Sequence, residues 1–191
     1  MMDRNDIITL PHAKLNKKSA KIDAITKNTQ KLVDEMTTVS LDWEDHHTHE
    51  VTVGLAAVQI GIMERIVIIR NDFDNKEDRN FQTLINPEIT KTEGSLVYQS
   101  EGCLSVAGYY GRVKRYPKIT IKALDISGKS LRITATDFLA RLLQHEIDHI
   151  NGKTYVDRLD SRSELYKMTD SGNLQLLDDD EFSDTLKKLK N

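Results

Sequence analysis

Residues 139–152 read Leu-Ala-Arg-Leu-Leu-Gln-His-Glu-Ile-Asp-His-Ile-Asn-Gly, and inside them His145-Glu146-Ile147-Asp148-His149 forms an H-E-x-x-H pattern. On an α-helix, residues four apart lie one above the other on the same face, so both imidazoles can reach one metal ion. Glu146 is then turned toward a water beside that ion, where a carboxylate can act as a base. The flanking residues supply the helix. Thr136 and Asp137 can cap its start, Phe138, Leu139, Leu142 and Leu143 recur at helical spacing, and Asn151-Gly152 suits a stop. The apolar stripe of Phe138 and Leu142 continues straight into His145 and His149. A pattern that fixes three positions in five also arises as ordinary surface polarity. Two histidines are in any case an incomplete site, because a catalytic zinc ion takes three protein ligands.

The sequence upstream of this helix reads as strands. Residues 65–70 are β-branched, 82–86 and 88–92 read as two strands divided by Pro87, and an extended piece ends at Ser100. Residues 112–116 and 118–124 follow, with 125–128 as a hairpin turn into 130–134. Nearer the N-terminus, residues 7–15 read as an extended lead-in broken by Pro11. Apolar residues from Ile22 to Val39 recur at helical spacing and predict a long amphipathic helix over residues 19–43. Strands in succession with a helix near each end indicate an α+β domain built on antiparallel sheets. Residues 1–160 read as one catalytic domain. Residues 161–191 read as a polar extension, partly helical or disordered, whose acidic start and basic end suit a short helix dipole.

Composition narrows the class. The 191 residues are 38% hydrophobic and 30% charged with a net charge of −3, which describes a globular protein without the basic surface that nucleic acid attracts. No apolar run is long enough for a membrane helix, and residues 1–6 resemble no secretion or transit signal. The single cysteine, Cys103, excludes an internal disulfide and points to a cytoplasmic setting.

Several residues compete to be the third ligand. The metzincin extension of H-E-x-x-H requires a histidine where this chain has Tyr155, so that route fails. Glu164 is the glutamate available for a thermolysin-like site, in a polar stretch without helical pattern. His46, His47 and His49 cluster in an acidic segment that reads as solvated loop. Cys103 lies upstream, and a thiolate is a strong ligand for zinc or ferrous iron. Its neighbours Glu101, Gly102 and Ser105 do not resemble a core strand. With His145 and His149 it would leave a fourth position open for water. Residues 53–61 are small and apolar around one polar side chain, Gln59, which reads either as a satisfied core amide or as a functional group.

Gly-Leu-Ala-Ala-Val-Gln at 54–59, Glu-Gly-Cys-Leu-Ser at 101–105 and Gln-His-Glu-Ile-Asp-His at 144–149 together resemble the three signature motifs of peptide deformylases, in the family's order and spacing. The resemblance covers residues 7–160. It implies an α+β fold in which antiparallel sheets pack around the central H-E-x-x-H helix. It also implies a hydrolase that removes the formyl group from the N-terminal formylmethionine of nascent chains. Cys103, His145 and His149 would hold one divalent ion: Fe(2+) in the cell, with Zn(2+), Ni(2+) or Co(2+) as isolated. Glu146 would handle the proton, and Gln59 with the backbone N–H of Leu104 would face the oxyanion. Val53, Gly54 and Gly102 would contact the peptide, and Phe138 and Leu142 would line the methionine pocket. N-formylmethionyl peptides and nascent chains would be its partners, with the ribosome as a further candidate and no membrane or nucleic acid. Three features depart from the pattern: the Asp-Pro familiar near the N-terminus is absent, with Pro11-His12-Ala13 in its region, and two single positions differ. Thr52 stands where the first motif begins with glycine, and Arg141 stands where an apolar residue is expected to face the pocket. Thr52, Arg141 and the tail beyond residue 160 are the support for an alternative reading, a catalytically impaired peptide-binding descendant that keeps a structural metal.

Overall fold

The computed structural model describes residues 2–47, 51–73, 75, 77–160, 163–169 and 171–190. In chain order the elements are α1 (Lys27–His46), β1 (Gly54–Ala56), β2 (Ile66–Arg70), β3 (Phe81–Glu93), β4 (Val97–Gly102), β5 (Tyr109–Arg115), β6 (Lys118–Leu124), β7 (Ser130–Thr136), α2 (Asp137–Ile150), β8 (Leu165–Met168), β9 (Leu174–Leu176) and α3 (Asp179–Lys190). The strands form two sheets, a five-stranded one in the order β1-β2-β3-β6-β7 and a four-stranded one in the order β4-β5-β8-β9. Every strand pair is antiparallel.

The five-stranded sheet is covered on both faces, and the alternation of side chains along a strand shows how. In β2, Ile66 and Ile68 turn to α1 and meet Leu32, Val33, Met36 and Val39. Val67 and Ile69 turn the other way, to Ala140, Leu143, Ile147 and Ile150 of α2. A strand buried on both faces is apolar throughout, which is why residues 66–69 carry no alternation in sequence. The H-E-x-x-H helix is therefore a core element held between the sheets, buried from Ala140 to Ile150.

Local chemistry differs from the sequence reading at several points. The long helix begins at Lys27 rather than residue 19, because Thr26 caps it by accepting from the backbone N–H groups of Asn28 and Thr29. The two strands predicted around Pro87 are one strand with a register shift between Ile85 and Glu88. The break is absorbed by Asn86, whose φ is +52°, and whose amide accepts from Ile22 N–H at 3.0 Å and donates to Ile22 O at 2.8 Å. Proline is tolerated in a strand at such a bulge. Thr136 holds the N-cap of α2 without a side-chain capping bond, and Asp137 instead donates its N–H to Pro117 O at 2.8 Å. The helix does stop at Asn151-Gly152. Gly152 has φ +74°, and a Cβ there would lie 2.8 Å from the carbonyl carbon of Lys17.

Beyond residue 160 the structure adds strands that composition did not suggest. β8 pairs with β5 and β9 with β8, while Phe182, Leu186 and Leu189 of α3 pack on Val113, Tyr155 and Leu165. The lead-in segment lies along the site from outside, with Ile8 N–H bonded to Gln59 O at 2.8 Å and Leu10 N–H to Ser105 O at 2.9 Å.

Candidate metal centre and cleft

β1 ends one sheet and β4 ends the other, and both border one cavity of about 430 Å³. Its wall includes Val53, Gly54 and Gln59 from the β1 side, Ser100, Gly102, Cys103 and Leu104 from the β4 side, and Phe138, Leu142, His145 and Glu146 from α2. The residues singled out by the three motifs thus meet in one place. Glu146 and His145 are turned into it by the helical repeat.

Cys103 Sγ, a nitrogen of His145 and a nitrogen of His149 all lie within 4.8 Å of one another, the only such ligand cluster among the described residues. The Nε2 atoms of the two histidines are 3.2 Å apart, and Cys103 Sγ is 3.2 Å from Nε2 of His149. His145 Nδ1 donates to Glu101 Oε2 at 2.9 Å, which fixes the tautomer and leaves the Nε2 lone pair directed at the cluster. Donor atoms this close share either a proton or a cation. For a tetrahedral ion with bonds of about 2.0–2.3 Å, donor atoms sit about 3.3–3.7 Å apart. The donor set fits a divalent ion of borderline softness.

Burial and mutual contact perturb the titration of these groups. Burial opposes charge on His145, yet the Cys103 sulfur and the Glu101 carboxylate raise its pKa well above the usual imidazole value. Burial drives His149 the other way, and its Nδ1 makes no hydrogen bond. Burial also resists ionisation of Glu101, but bonds from Arg115 and His145 overcome it and hold the carboxyl well below its ordinary range. Burial pushes Glu146 up to about 7, with the neighbouring His145 acting against the shift. Its Oε2 is buried without a partner. Gly54 makes room for this carboxylate, since a Cβ there would come within 2.8 Å of Glu146 Oε1.

Gln59 is buried, and its orientation is fixed. Oε1 accepts from Ala56 N–H at 2.8 Å, so the amide NH2 faces Ser105 Oγ at 3.3 Å and Cys103 Sγ at 3.6 Å. A side-chain donor is thus held beside the sulfur.

The competing ligands fall away. Tyr155 gives its hydroxyl to Tyr109 O at 3.0 Å and stacks beside the His145 ring. Glu164 is engaged by Arg112 at 3.0 Å and Tyr166 at 2.6 Å. His46 and His47 are exposed at the end of α1, bonded to Asp42 O and Trp43 O, while His49 lies outside the described residues.

Some of the site is not announced by motif. Arg115 holds both oxygens of Glu101 at 2.9 Å and also pairs with Asp148, which Arg158 holds from the other side. This chain of charges spans three elements, so no spacing in sequence could reveal it. The two single-position departures also acquire partners. Thr52 donates its N–H to the buried Glu44 at 3.1 Å and its hydroxyl to Ser40 O at 3.1 Å, and Glu44 pairs with the buried Arg70. Arg141 borders the cavity, and its guanidinium is bonded to Glu101 and to the β4–β5 hairpin.

Comparison with known proteins gives a consistent picture. The family model for polypeptide deformylase matches residues 4–164. A peptide deformylase of Halothermothrix orenii is 43% identical over 145 residues, 76% of this chain and 86% of its own. One from Thermomicrobium roseum is 38% identical over 167 residues, covering 86% of this chain and 90% of its own. Among solved structures, a peptide deformylase from Legionella pneumophila superposes with a TM-score of 0.70 at 39% identity, covering 81% of this chain and 85% of that one. A second, from Synechococcus elongatus in complex with actinonin, gives 0.72 at 30% identity, covering 82% and 79%. No helix among the described residues is long and apolar enough to cross a membrane.

Proposed function

The chain belongs to the polypeptide deformylase family, and we propose that it hydrolyses the formyl amide of N-formylmethionyl peptides through the cluster on α2. The observation that carries this reading is the cluster of Cys103, His145 and His149, set beside a cavity that Cys103, His145, Glu146 and Gln59 line. Cys103 Sγ and the two imidazoles would hold a single divalent ion, which supplies Lewis acidity to the formyl carbonyl and lowers the pKa of water near neutrality. Ferrous iron is the ion proposed for the cell, and zinc, nickel or cobalt suit the same donors.

The protein's own groups do the rest. Glu146 takes a proton from the attacking water at its unpartnered Oε2 as the new C–O bond forms. Gln59 Nε2 and the Leu104 backbone N–H bind the oxygen that gains charge. The C–N bond then breaks and Glu146 returns the proton to the departing amine, giving formate and a free N-terminus. A carboxyl whose pKa is pushed up to about 7 can both accept and release that proton near neutral pH.

Recognition follows from the walls of the cavity. Leu142 and Phe138 offer apolar surface for a flexible thioether side chain. Val53, Gly54 and Gly102 stand at the open edges of two sheets, where an extended peptide can add as a strand through main-chain bonds. Such pairing tolerates varied residues after methionine, as a nascent-chain enzyme must. Nascent chains at the ribosome, in the cytoplasm, are the proposed source of substrate. Every residue given a role lies within 1–160, the proposed catalytic unit.

Formate release from formyl-Met-Ala-Ser by anaerobically prepared protein tests the reading. Release without cleavage of internal peptide bonds is expected. Binding without turnover would instead identify a catalytically impaired relative that keeps its metal.

A further inference from the structure

Arg141 is only 6% exposed and sits one helical turn before His145. Its guanidinium lies across the seam of the β4–β5 hairpin. Nε donates to Gln99 Oε1 at 2.9 Å, and one terminal nitrogen donates to Val97 O at 2.8 Å. The other reaches Glu101 Oε1 at 2.7 Å, Val113 O at 3.1 Å and Gln99 O at 3.4 Å. A planar fork with rigidly placed donors suits this task, whereas an ammonium could satisfy only part of it.

The strand so held is the end strand of its sheet, with one edge open. Arg112 sends its N–H to Glu164 O, away from β4. Ser100 stands opposite Arg112 in the register, so its own backbone groups point away from β5 to the open edge. Gly102, two residues on, points the same way, and both residues border the cavity. One side chain thus joins the helix that carries His145 and Glu146 to the strand whose free edge faces the cleft.

We propose that Arg141 is a positioning residue for substrate: it fixes the height and register of the β4 edge against α2, and so sets how the peptide beyond formylmethionine is held. Arg115 binds both oxygens of Glu101 and also pairs with Asp148, so Glu101 stays aimed at His145 when the third bond, from Arg141, is lost. Gln144, bonded to both backbone groups of Tyr116 at 3.1 and 2.9 Å, keeps the hairpin attached to α2 when Arg141 is replaced. Loss of Arg141 therefore loosens an edge rather than unfolding a sheet. The inference rests on the deformylase reading given above.

The test compares N-formylmethionine amide, which ends at methionine, with formyl-Met-Ala-Ser. For Arg141→Met the KM of the longer substrate is expected to rise about tenfold with kcat within about twofold, while both parameters for the shorter one stay near wild type. Arg141→Lys should recover part of the loss, and Gln99→Ala should show a smaller rise of the same kind. Amide hydrogen exchange at residues 97–101 should quicken in Arg141→Met while exchange in α2 does not. Equal KM rises for both substrates, a fall in kcat alone, or unchanged exchange at 97–101 would overturn the proposal. If Arg141→Met fails to fold, the lysine and Gln99 variants decide by the same substrate-length difference, and its absence counts against the proposal. Failure of the wild type to release formate from either substrate sinks the deformylase reading instead. Exchange at 97–101 then still judges the anchoring.

Discussion

Gln59 has its carbonyl oxygen committed to Ala56 N–H, so its amide hydrogens have one direction left, toward Cys103 and Ser105. A donor preset in this way does not reorganise when charge develops. Gln59→Ala is therefore expected to lower kcat about 100-fold, roughly 3 kcal/mol, with KM little changed, as steady-state formate release would show. Gly54 gives a second test at the same scale. An added methyl would press on Glu146 Oε1, so Gly54→Ala should lower kcat about tenfold or more while the thermal midpoint holds within a few degrees. These positions differ in how far sequence exposes them. His145, Glu146 and His149 are readable because a helix repeats, and Cys103 because it is the only thiol. Glu101 can be quoted from its motif but its task cannot. That depends on Arg115 and His145 arriving from other elements.

Elements were legible where one periodicity ruled them. Strands β2, β6 and β7, the hairpin turn at Asp125–Gly128 and the helix after Thr136 follow from β-branched runs, turn chemistry and helical spacing, whereas β1 lies in a small-residue stretch that did not read as a strand. The continuous strand through Pro87 does not, because its repair is a tertiary contact between Asn86 and Ile22. Asn86→Ala removes both bonds and puts a Cβ-bearing residue without amide at positive φ. It should cost about 1–3 kcal/mol in urea unfolding, since αL backbone and buried amide bonds are each of this order. An unchanged midpoint would mean the bulge is held by other contacts. β8 and β9 were hidden for a different reason. They are short strands at the margin of a sheet, only Leu165 among their residues is buried, and their composition is that of a loop.

At the scale of the molecule, charge and metal act on stability in separate ways. Hydrogen bonds from Lys21 and Lys122 lower the Glu88 pKa from 4.5 to about 2. The folded value is the depressed one, so this carboxylate stabilises the fold fully above pH 4.5 and loses that contribution as the pH falls toward 2. Glu88→Gln should flatten the acid limb of a stability-against-pH curve in that window. A variant curve parallel to the wild type throughout would contradict the pairing. Metal binding should add to stability by mass action, so removing the ion with a chelator should lower the melting temperature and reloading should restore it. The two sheets, the helix between them and the open edges at the cleft all converge on one buried carboxylate, Glu146, to which the account gives the proton transfer. The most direct measurement is formate release from formyl-Met-Ala-Ser by metal-loaded Glu146→Ala, with metal content determined on the same sample. The account predicts one bound ion per chain and a rate lowered by about 10²–10⁴-fold, the usual range for a general acid–base group. Retained metal with wild-type turnover would contradict it.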